Sequence, residues 1–334
     1  MQTRLENPMA PTESTEVETM RQVVYDRFGG SDVLQIVDAP IPEPGEGEVL
    51  IRVHGAGLNP IDWKTRLGMG FVATQIEDDL PWGPGYDAAG EVVAVADDVT
   101  TLAKGDRVMG MIGFPVAGGA YAQFAVARAD ELAIVPEELD LVTAAGVPLA
   151  ALTAWQGLFE IARLEPNQKV LIHAGAGGVG HFAVQFALAR DAHVIATASA
   201  SNRDFLAEFG VHEVIDYKTM DVADECFGLD VVLDLVGGEA GKRSLHTLGA
   251  SGVLVTIPTV TADDVISTAE EMGVRAHGMR VRPDVFHLEE IAELIEDGDV
   301  RVHIDKVFTM DQVREAHDLL AEGHVRGKLV LDCR

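Results

Sequence analysis

Residues 170–180 read VLIHAGAGGVG and run straight into HFAVQFALA at 181–189. A buried apolar run ends near Ile172, then Gly175, Gly177 and Gly180 satisfy G-x-G-x-x-G, and an apolar helical pattern follows at once. In a chain with 34 glycines the spacing alone carries little. The strand before it and the helix after it give it meaning. The first glycine permits a tight turn, the second lets the backbone approach a pyrophosphate, and the third lets helix and strand pack closely. The helix N-terminus then offers unpaired N–H groups and a partial positive charge to phosphates. The loop is read as a dinucleotide cradle.

The text on either side agrees. Downstream, strands at 170–173, 193–197, 214–215, 231–235 and 253–257 alternate with helices through 189, at 203–209 and near 239–248. That alternation predicts a doubly wound parallel sheet, the Rossmann arrangement. Upstream, residues 149–164 are alanine-rich with helical spacing, closed by Pro166. Before them the chain is strand-like: VLIRV at 49–53 alternates, GEVVAV follows at 90–95, and Gly105-Asp106 turns into another strand. Many short strands with Gly and Pro turns predict a compact β-barrel. From 285 come two amphipathic helical patterns and a last strand, KLVL at 328–331, expected to rejoin the first domain. The fold class is therefore α/β: a β-barrel domain over 20–150, completed by 286–334, and a Rossmann domain over 151–285. Residues 1–19 read as a disordered polar tail without the apolar stretch of a secretory signal.

Composition narrows the partners. The chain has 334 residues, room for about two domains. Its 54 acids against 25 bases give a formal charge of −29. Such a surface repels phosphate backbones and anionic lipid, so neither nucleic acid nor membrane is expected as a partner. No apolar run approaches the ~20 residues that span a bilayer. Two distant cysteines, Cys226 and Cys333, make no disulfide framework, which fits a reducing cytoplasm.

The second strand of an NAD-binding unit usually ends on an acid that accepts from the ribose 2′-OH. Here residues 198–203 read ASASNR, and Asp191 lies before the strand, at its wrong end. Small hydroxyls followed by Arg203 suit a 2′-phosphate, which predicts NADPH as the cofactor.

Several motifs in order then carry a family resemblance. They are Gly57-Leu58-Asn59-Pro60-Ile61-Asp62-Trp63-Lys64, Pro84-Gly85-Tyr86-Asp87-Ala88-Ala89-Gly90, Gly105-Asp106-Arg107-Val108 and the glycine loop. They continue through Val214-Ile215-Asp216-Tyr217, Asp234-Leu235-Val236-Gly237-Gly238 and the ending Gly323-His324-Val325-Arg326-Gly327-Lys328. From about Met20 onward the chain resembles the zinc-free quinone reductase and alkenal/enone reductase branch of the medium-chain dehydrogenase/reductase superfamily. The resemblance implies a GroES-like catalytic domain interrupted by a Rossmann domain, with the cofactor between them. It implies Thr153 at the nicotinamide, Gly177, Gly178 and Val179 at the pyrophosphate, and Ser199, Arg203 and Tyr217 about the 2′-phosphate. Val236 and Ile257 would flank the nicotinamide ribose, and Lys328 is grouped with these cofactor residues. Tyr217 reads equally well as a plain edge residue of the sheet.

The zinc-binding members of that superfamily have a cysteine at or near Asn59 and His-Glu where this chain has Tyr86-Asp87. They also carry a four-cysteine structural site. Those ligands are missing here, and His54, His173 and His181 form no ligand pattern, so no metal is expected. Without a metal, hydride transfer needs an acceptor activated by conjugation: a quinone or an α,β-unsaturated carbonyl. Lys64 is the candidate to meet charge developing on the acceptor oxygen, because related enone reductases carry lysine in this setting. The alternative is a surface lysine or a partner of Asp62. Asn59 is assigned to the nicotinamide ribose or the substrate. Tyr86 either faces the acceptor or packs in a core. An enoyl-thioester reductase and a non-catalytic NADPH-binding protein, as among lens crystallins of this family, stay open. Retention of Asn59, Lys64 and Thr153 argues against the latter. A homodimer is expected, joined through a sheet edge taken to be VLVTI at 253–257.

Overall fold

The computed structural model describes residues 18–334. Of the polar tail expected over 1–19, residues 1–17 lie outside the described residues, and Thr19 already opens a strand, Thr19–Val24.

Six strands form a fully parallel sheet. From one edge to the other they are Glu213–Asp216, His193–Ala198, Lys169–Ile172, Leu229–Asp234, Leu248–Thr256 and Arg275–Gly278. The order reverses direction at Lys169–Ile172, so the glycine loop leaves the sheet at its switch point, where open α/β sheets bind ligands. The strands need no alternation because both faces are covered: Val170, Leu171 and Ile172 are all fully buried. The helix Gly180–Ala189 is buried from Gly180 through Ala187, which its uniformly apolar text requires.

One expectation fails here. The strand containing 253–257 is no edge, since Leu248–Thr256 pairs with Leu229–Asp234 on one side and Arg275–Gly278 on the other. The open edges are Glu213–Asp216 and Arg275–Gly278. RAHG lacks the apolar, β-branched signature of a strand.

The second sheet takes Glu48–Leu58, Asp87–Val95, Arg107–Met111, Phe124–Arg128 and Leu132–Ile134 from the first part of the chain. It adds Ile304–Thr309 and Lys328–Asp332 from the last. The pairings form an open path rather than a closed ring, with Phe124–Arg128 added beside Glu48–Leu58. The final strand pairs antiparallel with the Gly55–Leu58 end of that long strand. The fold is thus α/β, a GroES-like sheet joined to a Rossmann sheet. One continuous apolar core runs from Tyr86 and Met109 through the Pro148–Trp155 helix to Val170 and Ile172, which fixes the walls of the cleft between the sheets. After Trp155 that helix widens into a π-turn, Gln156–Ile161.

Candidate active site

The glycine loop has the geometry its sequence demands. A Cβ on Gly180 would come within 2.1 Å of the Ala174 carbonyl oxygen, and one on Gly175 within 2.8 Å of Ala196 Cβ. Both positions are closed to side chains because helix and strand touch there. Gly177 has no such neighbour nearer than 3.2 Å and lines an open cleft with Ala174 and Ser199. This is the backbone shape a pyrophosphate could occupy. His181 braces the loop from behind: its ring lies 3.0 Å from the Gly177 carbonyl, and burial lowers its pKa to about 4. His173 is likewise held inside the fold, bridging Thr197 and Ser244.

The adenosine end departs from expectation. Ser199, Ser201, Asn202 and Tyr217 line the cleft, and its two cations are Lys218 and Arg326. Arg326 donates to Asn202 Oδ1 at 3.0 Å and lies over the Phe205 ring. Arg203 is absent from that lining and donates instead to the Val214 carbonyl, along the sheet edge. Its place at the start of the Arg203–Glu208 helix turns it away. Val236 also leaves the nicotinamide end: it is 52% exposed and lines a cleft with Tyr217 and Glu239.

A separate pocket of about 230 Å³ lies between the two sheets, where the nicotinamide is expected. Thr153, Val179, Leu235 and Ile257 form one wall, so Leu235 takes the place expected of its neighbour Val236. The Thr153 hydroxyl donates to the Leu149 carbonyl at 2.7 Å, which leaves its oxygen free to accept. Ile61, Met69, Phe71 and Phe114 form the other wall, and among the described residues no acidic side chain lines the pocket. Lys64 lies on the pocket's rim of the Pro60–Arg66 helix, half-buried, and desolvation lowers its pKa. It is no partner of Asp62, whose Oδ2 accepts from the Asn59 backbone N–H and the Tyr121 hydroxyl.

Beneath the pocket lies a buried polar cluster that the motifs named only in pieces. Asn59 Nδ2 donates to Asp87 Oδ2 at 2.8 Å, and Lys328 Nζ donates to Asn59 Oδ1 at 2.5 Å and to the Leu58 carbonyl at 3.0 Å. Lys328 Nζ stands 3.5 Å from Asp87 Oδ2, whose other oxygen accepts from Leu149 N–H. Burial raises the pKa of Asp87 and lowers that of Lys328, and each charge is the other's largest counterweight. Asn59 thus lines the pocket while both polar atoms of its side chain are bonded inside the protein. The Lys328 ammonium turns from the cofactor cleft, although its stem passes close to Gly178. Tyr86 is buried too, donating to the Pro115 carbonyl at 2.9 Å and backing Phe114 edge-on, so its hydroxyl does not meet the acceptor. Among the described residues no three His, Cys, Asp or Glu side chains converge as a metal site would need.

Known proteins resemble this chain in sequence and fold. The alcohol dehydrogenase GroES-like domain family matches residues 45–137, and the zinc-binding dehydrogenase family matches 209–331. The chain is 33% identical to the chloroplastic quinone-oxidoreductase QR1 of Triphysaria versicolor, over 94% of this chain and 98% of that one. The chain belongs to the quinone oxidoreductase branch of the medium-chain dehydrogenase/reductase superfamily. It is an oxidoreductase. The quinone oxidoreductase structure from Coxiella burnetii superposes with a TM-score of 0.91 at 41% identity, covering 95% of this chain and all (100%) of that one. The Escherichia coli quinone oxidoreductase in complex with NADPH gives 0.83 at 26% identity, covering 93% and 99%. No helix among the described residues is long and apolar enough to cross a membrane.

Proposed function

We propose that this oxidoreductase is an NADPH-dependent, metal-independent reductase of quinones and α,β-unsaturated carbonyls. The observation that carries the reading is an apolar pocket whose lining brings Lys64 together with Thr153, Val179 and Ile257. Its likeness to quinone oxidoreductases, one of them in complex with NADPH, supports the same choice.

The nicotinamide, when bound, supplies hydride, and a solvent proton completes the two-electron reduction of a quinone to a hydroquinone or of an enone to a ketone. The chain's own part is positional and electrostatic. Gly178, Val179 and Gly180 would offer backbone N–H groups to the pyrophosphate, Gly175 and Gly177 shape the loop with their own N–H groups given to the Thr197 and Ala174 carbonyls, and Thr153 would accept from the carboxamide. Ser199, Ser201, Tyr217, Lys218 and Arg326 receive the 2′-phosphate. Ile61, Phe71 and Phe114 exclude water, which strengthens the field of Lys64 on the acceptor oxygen as charge builds there.

Metal independence rests on the buried cluster. The position that would carry metal ligands holds its own cation, the Lys328 ammonium, already bonded to Asn59 and paired with Asp87. The proposed domain division, 20–150 with 286–334 and 151–285, is supported by a six-stranded sheet drawn from residues 169–278 and a larger one drawn from 48–134 and 304–332. A homodimer joined through the Arg275–Gly278 edge belongs to the same reading, and a monomer in light scattering at micromolar concentration would contradict it. Cytoplasmic residence rests on Cys226 and Cys333, both buried and unpaired.

The test is oxidation of NADPH, after dialysis against a chelator, with a quinone, an enone and an enoyl thioester in parallel. Turnover of the quinone and enone is the expected result. Turnover of the thioester alone would make the chain an enoyl-thioester reductase, and cofactor binding without turnover would make it a non-catalytic binder.

A further inference from the structure

Two cations line the acceptor pocket, and only Lys64 has been given work. The second is Arg280, which follows the Arg275–Gly278 strand and reaches across the pocket to the Gly70–Ile76 helix of the other sheet's half. Its guanidinium carbon lies 4.4 Å from the centroid of the Phe71 ring. That contact holds the guanidinium by its face and leaves its N–H donors unspent. Arg282, two residues on, shows the contrast: it is bound by Glu160 at 2.8 Å and Asp284 at 3.1 Å. No carboxylate or carbonyl among the described residues accepts from Arg280.

In a chain of 54 acids and 25 bases, a pocket lined among the described residues by two cations and no acid is electrostatically out of keeping with the rest of the surface. A net charge of −29 repels any anion at a distance. A site built to admit an anionic ligand must therefore hold cations that no internal acid cancels, and this pocket does. The adenosine phosphates do not explain Arg280, because their cleft is lined by Ser199, Lys218 and Arg326 instead. Nor does the acceptor carbonyl, which falls to the less exposed Lys64 on the Pro60–Arg66 helix.

We propose that Arg280 selects acceptors whose apolar conjugated body carries an oxyanion, a carboxylate or a phosphate, at the end away from the reacting carbonyl. Phe71 fixes the guanidinium over the pocket, and the planar fork of donors grips two oxygens of the anion. Arg280 is then a specificity-determining residue of the reduction, and this assignment rests on the pocket being the acceptor site.

Matched acceptors test it: a naphthoquinone bearing a short saturated acid side chain, its methyl ester, and the corresponding phosphate. The ring potential is the same in each, so differences report recognition. The acid should show a kcat/KM about tenfold above the ester, the scale of one partly exposed charge-assisted contact. Arg280→Gln should bring acid and ester to parity by weakening the acid, and Arg280→Lys should restore part of the difference. Comparison of the acid with the phosphate tells which oxyanion the fork prefers. Calorimetric titration of the same compounds into enzyme loaded with NADP⁺, where no turnover occurs, should give the same ratios as dissociation constants. Parity of acid and ester in the parent enzyme, or a ratio that survives Arg280→Gln, would overturn the proposal. If none of the quinones oxidises NADPH, the acceptor-site reading fails, and the calorimetric acid-to-ester ratio still decides for or against Arg280 as an anion site.

Discussion

Lys328 Nζ donates to Asn59 Oδ1 across 2.5 Å, joining residues 269 positions apart in the chain. Around that bond five segments meet. The Gly327 N–H donates to the Ala176 carbonyl of the glycine loop, Asn59 opens the helix that carries Lys64, and Asp87 accepts from Leu149 near the start of the helix that carries Thr153. The cluster thus ties the cofactor loop and both walls of the acceptor pocket to a single buried charge pair.

Removing one partner of that pair should be costly. Lys328→Met leaves the Asp87 carboxylate buried without its cation, and the expected loss is about 3–5 kcal/mol of unfolding free energy. Adding Asp87→Asn should recover much of the loss, because the uncompensated charge is then gone. Urea unfolding of the single and double variants checks this. Strictly additive losses would mean that the two side chains do not act as a pair.

Cofactor choice should depend on Arg326 rather than Arg203. Arg326→Ala is expected to lower kcat/KM for NADPH by about 1.5–3 kcal/mol in transition-state terms and to change NADH little. Arg203→Ala should leave the preference as it is. Equal use of both cofactors by the parent enzyme would contradict the assignment of the whole Ser199–Arg326 cleft to a 2′-phosphate.

Asp62 should make stability fall as pH rises. It is fully buried, and burial outweighs its bonds from Asn59 N–H and Tyr121, raising its pKa from 3.8 to about 7. Below the lower value both states hold the proton and Asp62 contributes no pH dependence. Between about pH 4 and 7 the unfolded chain releases the proton while the folded chain retains it, so stability declines; above that range the decline is complete. Asp62→Asn cannot titrate. Its urea midpoint, relative to that of the parent, should climb across this window, whereas parallel curves would show that Asp62 ionises normally in the folded protein.

The parts of this account that were legible in the sequence are the local ones. G-x-G-x-x-G between an apolar strand and an apolar helix fixes its own geometry within eleven residues, and strand–helix alternation carries the parallel sheet with it. Contacts made across the chain left no local signal. Nothing near Arg203 reveals that the chain returns at Arg326 to supply the cation, or that Lys328 closes on Asn59. Arg275–Gly278 is a strand because Leu248–Thr256 offers it an edge, not because RAHG favours one, and so the true sheet edge went unseen. Tyr86 and Asn59 stand at functionally placed motifs, yet buried neighbours, the Pro115 carbonyl and the Asp87–Lys328 pair, claim their polar atoms.

If Lys64 meets the charge that develops on an acceptor reduced in this pocket, hydride transfer itself should slow without it. The most direct measurement is the rate of hydride transfer in a single turnover, with an enone as acceptor, in the parent and in Lys64→Ala, alongside the NADPH dissociation constant of each. An interaction made mainly in the transition state shows in the rate and not in binding. The account predicts a rate lower by roughly tenfold to a thousandfold with NADPH affinity nearly unchanged, and partial recovery in Lys64→Arg. An unchanged rate in Lys64→Ala would contradict it.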